Sequence, residues 1–108
     1  MLKLTDVAYG THERQRFDIC LPDEKTHGLI LFIHGGGWVA GDKNWYGDEL
    51  TAWSAKGYAA SSMNYHYLSP DVRMDTLIRD ISEALERIKA VSGEHGFDLD
   101  RVLLTGAS

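Results

Sequence analysis

Two rhythms of apolar residues alternate along the chain, one of period two and one of period three to four, and together they set out five strands and two principal helices. Leu2 and Leu4 alternate with polar residues, and Phe17, Ile19 and Leu21 alternate with Asp18 and Cys20. With Gly10-Thr11-His12 as turn chemistry between them, the pattern predicts an antiparallel edge hairpin with one half-exposed face. After a polar connection over residues 22–28, Leu29-Ile30-Leu31-Phe32-Ile33 shows no polar alternation, the mark of a strand buried on both faces as in a parallel sheet. Tyr46, Leu50 and Trp53 recur at helical spacing up to Gly57, a residue suited to the left-handed turn that closes a helix. Residues 58–65 are mostly small and fit a central strand under helices, so strand, helix and strand imply a right-handed parallel crossover. Ser69-Pro70-Asp71 reads as a helix start, and an apolar stripe runs from Met74 through Leu77, Ile81, Ala84 and Ile88 to Val91. That helix is expected to end at Ser92-Gly93, and the segment after Gly96 to lead into a last strand, Val102-Leu103-Leu104-Thr105. The alternation predicts an α/β sheet in three layers, with active groups at the C-terminal ends of the strands.

Composition narrows the classes. Of 108 residues, 44% are apolar and 25% charged, as expected for a globular chain with a core of its own. A net charge of −5 with no basic stripe argues against nucleic acid as a partner. No apolar run reaches membrane-spanning length, and the start, Met1-Leu2-Lys3-Leu4-Thr5-Asp6, lacks the apolar stretch of a signal peptide, so neither a membrane nor export is expected. A single cysteine, Cys20, allows no intrachain disulfide and fits a cytoplasmic location. Nothing in the pattern calls for a metal or an organic cofactor, and nothing assigns an oligomeric state.

Both apolar runs that end in glycine carry candidate chemistry. The first empties into His34-Gly35-Gly36-Gly37-Trp38. Three consecutive glycines fit either a tight turn or an anion hole, in which successive N–H groups without Cβ atoms converge on a negatively charged oxygen. The second run ends in Gly106-Ala107-Ser108, a Gly-x-Ser directly after a strand. Together and in this order, the two motifs resemble the α/β-hydrolase family, specifically its carboxylesterase and lipase branch with an HGGGW loop and a Gly-x-Ser-x-Gly elbow. The resemblance covers nearly the whole chain, and the closing x-Gly of the elbow falls past Ser108.

The resemblance implies that Ser108 attacks an ester carbonyl, and that Gly36 and Gly37, with Gly35 as a further candidate, donate backbone N–H groups to the resulting oxyanion. The family's acid and histidine follow the serine in the chain, so His34 is expected to hold the glycine loop through backbone hydrogen bonds rather than to act as base. Trp38 either walls the acyl or alcohol pocket or packs in the core. Asp42, Asn64, Tyr65 and Asp80 are expected to make scaffold hydrogen bonds, and His12, His27, His66 and His95 to lie at the surface. His66 stands where relatives commonly carry arginine, so a salt bridge of theirs is not carried over to this position. With 33 residues before His34, the helical N-terminal cap of hormone-sensitive-lipase-like enzymes is not expected. Three functions stay open: a serine carboxylesterase acting on small or short-chain acyl esters, an amidase of the kynurenine-formamidase type, and a catalytically silent binding protein on the same fold. Residues 1–108 are expected to form the N-terminal portion of a single α/β-hydrolase domain cut at its nucleophile, with the remainder of the same polypeptide required for catalysis.

Overall fold

The computed structural model describes residues 1–24 and 26–106, so Ala107 and Ser108 lie outside the described residues. In chain order the elements are β1 (Leu2–Ala8), β2 (Arg16–Leu21), β3 (Leu29–Ile33), a 3₁₀ turn (Lys43–Tyr46), α1 (Gly47–Ala55), β4 (Ala59–Met63), α2 (Met74–Glu94) and β5 (Val102–Gly106). The strands form one sheet in the order β1-β2-β4-β3-β5. β2 pairs antiparallel with β1 and β4, whereas β3 runs parallel to β4 and β5 on either side. The unalternating sequence of β3 follows from this central place, because one side chain in two faces each helical layer. Leu29 and Leu31 join Phe17, Ile19, Leu21, Met63 and the α2 residues Leu77, Ala84, Ile88 and Val91 in one core. Phe32 packs on the other face with Cys20, Leu50, Ala60, Tyr46 and Trp53, under α1. Each fully buried Leu or Ile there stabilises the fold by roughly 1.5–3 kcal/mol relative to exposure.

β4 is buried throughout, and its small side chains let both layers approach. Its two hydroxyls are satisfied within the sheet region: Ser61 donates to the Asp18 carbonyl at 2.6 Å and Ser62 to the Lys43 carbonyl at 3.0 Å. The N-terminal hairpin departs from expectation. β1 is the edge, but β2 lies inside the sheet, and Phe17, Ile19, Cys20 and Leu21 are all buried, Cys20 beneath α1. Alternation there marks two different buried faces rather than one buried and one wet. At the opposite edge β5 leaves Leu103 and Leu104 exposed. Among the described residues no helix is long and apolar enough to cross a membrane.

Both helices end in the same way. After α1, Gly57 (φ 96°) donates to the Ser54 carbonyl and Tyr58 to that of Trp53, and the Tyr58 and Trp53 rings meet edge to face at 5.5 Å. After α2, Gly96 (φ 84°) donates to Gly93 and Phe97 to Ser92. These are Schellman closures, in which a left-handed glycine turns two orphan carbonyls inward. α2 therefore runs past the expected stop at Gly93, because Gly96 supplies the left-handed residue. It also starts later than Ser69-Pro70-Asp71 implied: Ser69 and Val72 exchange backbone hydrogen bonds in a tight turn, and Arg73 is the first flanking residue. We expect Gly93→Ala to stabilise the protein by about 0.5–1 kcal/mol, since a Cβ there meets nothing within 4 Å, and Gly96→Ala to destabilise it by about 1 kcal/mol. Denaturant unfolding of the two variants, with opposite signs expected, checks which glycine ends the helix.

Candidate active site

Register brings the two glycine-ended runs together. Ile33 pairs with Gly106 across the parallel β3–β5 ladder, so the glycine-ended strands β3 and β5 finish side by side toward one edge of the sheet. A cavity of about 390 Å³ opens there, lined by Ile33, the loop from His34 to Trp38, Ile81 of α2, and Leu104 to Gly106. Ser108, the expected nucleophile, follows Gly106 by two positions and lies outside the described residues.

The loop needs its glycines for different reasons. Gly36 (φ 127°) sits so close to the chain that a Cβ would stand 2.2 Å from the Ala40 carbonyl oxygen. Gly37 (φ 63°) has open space around it and is glycine for its left-handed backbone alone. Gly41 (φ 102°) closes the loop, where a Cβ would lie 2.2 Å from the Gly35 carbonyl oxygen and 2.4 Å from His34 Nδ1. Val39 N–H donates to the Gly36 carbonyl at 3.2 Å, so the segment is a tight turn. Yet among the described residues no acceptor takes the N–H of Gly36 or Gly37. Trp38 follows with a left-handed backbone (φ 69°). Its carbonyl accepts from Leu68 N–H at 2.8 Å, and its half-exposed ring leans on Tyr65 at 5.7 Å while lining the cavity.

His34 is 1% exposed and bound on both ring nitrogens. Arg14 Nη2 stands 3.1 Å from Nε2, and the Gly35 carbonyl oxygen 2.9 Å from Nδ1. A guanidinium can only donate, so Nε2 accepts and Nδ1 carries the proton, which it donates to Gly35. Tyr65, stacked on the imidazole at 4.3 Å, donates its hydroxyl to the His34 carbonyl at 2.8 Å. Burial pushes the His34 pKa below its ordinary value, and the Arg14 charge adds to that push against the opposing Gly35 carbonyl and Asp42. The ring is therefore neutral, with its one basic nitrogen occupied. Burial likewise raises the Tyr65 phenol.

The far end of the loop is tied down by Asp42, Lys43 and Asn64. Asp42 caps the 3₁₀ turn by accepting from Asn44 N–H at 2.8 Å, and Asn64 Oδ1 accepts from Lys43 N–H at 2.9 Å. Lys43 Nζ then reaches Asp6 and Asp18 at 2.8 Å each. Asp80, 2% exposed, accepts from His66 N–H at 2.8 Å, pairs with His66 Nδ1 at 2.6 Å and accepts from Gln15 Nε2 at 3.1 Å. His12, His27 and His95 are exposed, but His66 is not a surface histidine, because the buried Asp80 carboxylate draws it in. Sequence reasoning passed over Arg14 and Lys43. Both sit among polar residues in segments that read as turn and loop, and nothing in the local pattern separates a buried cation from a solvated one.

Desolvation works to lower the Lys43 pKa, but the carboxylates of Asp18 and Asp6 outweigh it and raise the value above the ordinary one of 10.5. The ammonium's contribution to stability is then complete below pH 10.5 and is lost as pH climbs through the raised value. Lys43→Met should cost about 2–3 kcal/mol at pH 7, less than a fully buried pair because Asp6 faces water. Urea unfolding from pH 7 upward should show the gap between the two proteins closing above pH 10.5.

The family model described as BD-FAE matches residues 17–108. The chain belongs to the BD-FAE family. Relatives by sequence and structure include proteins named as esterases. It is 33% identical to the probable carboxylic ester hydrolase LipM of Mycobacterium tuberculosis over 95% of this chain and 25% of that protein. It is 30% identical to the arylacetamide deacetylase of Bos taurus over 83% of this chain and 24% of that protein. Esterase B of Lactobacillus rhamnosis superposes with a TM-score of 0.84 at 34% identity, covering 99% of this chain and 35% of that one. A further structure of esterase B is described as inhibited by a tributyrin phosphonate. The chain thus spans about a quarter of these curated relatives and about a third of that esterase. The five-stranded mixed sheet of this BD-FAE chain is the N-terminal part of an α/β-hydrolase fold.

Proposed function

We propose that the protein is a serine hydrolase that cleaves carboxylic esters of small or short-chain acyl groups through an acyl-enzyme. The observation that carries the reading is the N–H pair of Gly36 and Gly37, which no acceptor takes among the described residues, on a cavity shared with the end of β5 two positions before Ser108. In this reading Ser108 Oγ attacks the ester carbonyl and passes its proton to a base. The carbonyl oxygen becomes an oxyanion held by the Gly36 and Gly37 N–H groups, and the alcohol leaves with the proton. Water then attacks the acyl-enzyme and releases the acid. Gly35 donates no hydrogen bond in this account and instead serves through its carbonyl. The Arg14 bond occupies the one basic nitrogen of His34 and speaks against it as the base, and the resemblance implies that the acid and the base follow the serine in the chain. Trp38, with Ile81 and Leu104, gives the cavity an apolar wall for an acyl or alcohol group.

Short-chain acyl preference draws support from esterase B, for which a tributyrin phosphonate serves as inhibitor. Similarity to an arylacetamide deacetylase favours a second reading in which small aryl amides are also cleaved. Rates on a butyryl ester and on an acylated aromatic amine rank the two. No cofactor and no metal enter either scheme, and the substrate is the only partner required. A cytoplasmic location remains part of the proposal.

In the complete protein, a fluorophosphonate should label Ser108, and Ser108→Ala should abolish both labelling and ester turnover. Persistence of both in that variant overturns the assignment. Gly36→Ala should lower kcat by on the order of 100-fold and change KM far less, as expected for a donor that acts in the transition state. An unchanged kcat in a folded Gly36→Ala protein removes the loop from the mechanism.

A further inference from the structure

We propose that Arg14, in the hairpin between β1 and β2, is a positioning residue that sets the direction of the Gly36 N–H through His34. The inference rests on the reading of the glycine loop as the oxyanion site. Arg14 is itself held from four sides. Its Nε donates to the Tyr65 carbonyl at 3.1 Å, its guanidinium lies 3.8 Å over the Tyr67 ring, Nη1 is 3.7 Å from Asp42, and Nη2 faces the Gly41 carbonyl at 3.5 Å as well as His34 Nε2. Tyr67 also donates to the Gly41 carbonyl at 2.6 Å. A planar fork reaching a backbone carbonyl and an imidazole at once is a geometry that lysine cannot reproduce.

The consequence passes through one peptide plane. The Gly35 carbonyl and the Gly36 N–H belong to the same rigid trans unit and point in opposite directions, so fixing one fixes the other. In the neutral ring, His34 Nδ1–H holds that carbonyl at 2.9 Å only while Nε2 carries no proton, and Arg14 is the group that keeps Nε2 an acceptor. Without a donor at Nε2, the proton is free to move there. The Nδ1 lone pair then faces the Gly35 oxygen, a repulsion that turning the peptide relieves. Glycine on both sides of the bond lowers the resistance to that turn.

The test uses the complete protein with Arg14→Met and Arg14→Lys. Nitrogen NMR of the His34 ring, assigned with His34→Gln, reads the tautomer whether or not the protein is active. The native protein should show the Nδ1–H form, and Arg14→Met a mixture of both forms. For a butyryl ester, kcat should fall about tenfold in Arg14→Met with KM within about twofold, short of the loss of a whole donor. Arg14→Lys should fall between the two proteins in both readouts, and it serves alone should the Met variant not fold. An unchanged Nδ1–H tautomer in the folded variants overturns the inference. So does a shifted tautomer with unchanged kcat. A native protein that shows no ester turnover, with Ser108 unlabelled, counts instead against the serine-hydrolase reading, and the tautomer result still decides whether Arg14 governs His34.

Discussion

The arrangement depends on one close approach, where the Gly41 backbone lies against the Gly35 carbonyl and the His34 ring with no room for a Cβ. That contact closes the loop of residues 35–41 on itself and directs the chain back across the ends of β3 and β4. A loop of three glycines is otherwise expensive to order, since each loses more conformational freedom on folding than any other residue. The cost is offset because its two ends are held by buried groups. His34 fixes the near end through its own ring, and Asn64, Asp42 and Lys43 fix the far end through the 3₁₀ turn. Between these anchors the N–H groups of Gly36 and Gly37 meet no acceptor among the described residues.

A buried cation, Lys43, and a part-buried one, Arg14, make those anchors durable, and both lead to the antiparallel hairpin. Lys43 crosses to Asp18 on β2 and Asp6 on β1, and Arg14 crosses from the hairpin turn to His34, Tyr65 and Gly41. Asp6 reaches its place because β1 is irregular between Leu4 and Val7 and the Asp6 backbone is left-handed (φ 53°). A residue of that type tolerates this conformation better than a branched one. Its N–H donates to Asp18 at 2.9 Å, so the bulge aligns both carboxylates on one ammonium. The hairpin is thus more than an edge to the sheet. It contributes the charges that face the loop from behind.

Element identity was legible in the sequence wherever burial is periodic. The run of residues 29–33, the stripe of α2 and the small residues of β4 each report a face, and Gly57 reports its turn. Legibility failed where two explanations share one pattern. Alternating Phe17, Asp18, Ile19, Cys20 and Leu21 fits one wet face as well as two dry ones, and Asp18 is inside because Lys43 meets it there. Gly93 and Gly96 both punctuate a helix end, and only the backbone angle separates them. At the candidate site, the three glycines announced a tight turn, whereas the roles expected of them and of His34 came from the resemblance to a family. Arg14 and His66 could be read in neither way, since their roles come from partners fifty or so residues away in the case of Tyr65 and from Asp80 in the next helix.

The order of donors behind the loop bears on how such a site would treat a developing negative charge. Arg14 donates to His34 Nε2, His34 Nδ1–H donates to the Gly35 carbonyl, and the Gly36 N–H lies at the other end of that same amide. Each acceptor in the series becomes a better donor at its far side, because polarisation along a chain of hydrogen bonds reinforces every link. The positive charge of Arg14 is therefore felt at Gly36 without a charged side chain entering the cavity. A cation placed in the cavity itself would have to be desolvated and would bind product carboxylate as well as an oxyanion, which wastes binding on the ground state. Holding His34 neutral is part of the same logic. A protonated ring would repel Arg14 and lose the Nε2 acceptor, breaking the series at its first link. The fold thus places the Arg14 charge one residue layer behind the cavity and joins it to the glycine loop through neutral groups held by buried hydrogen bonds.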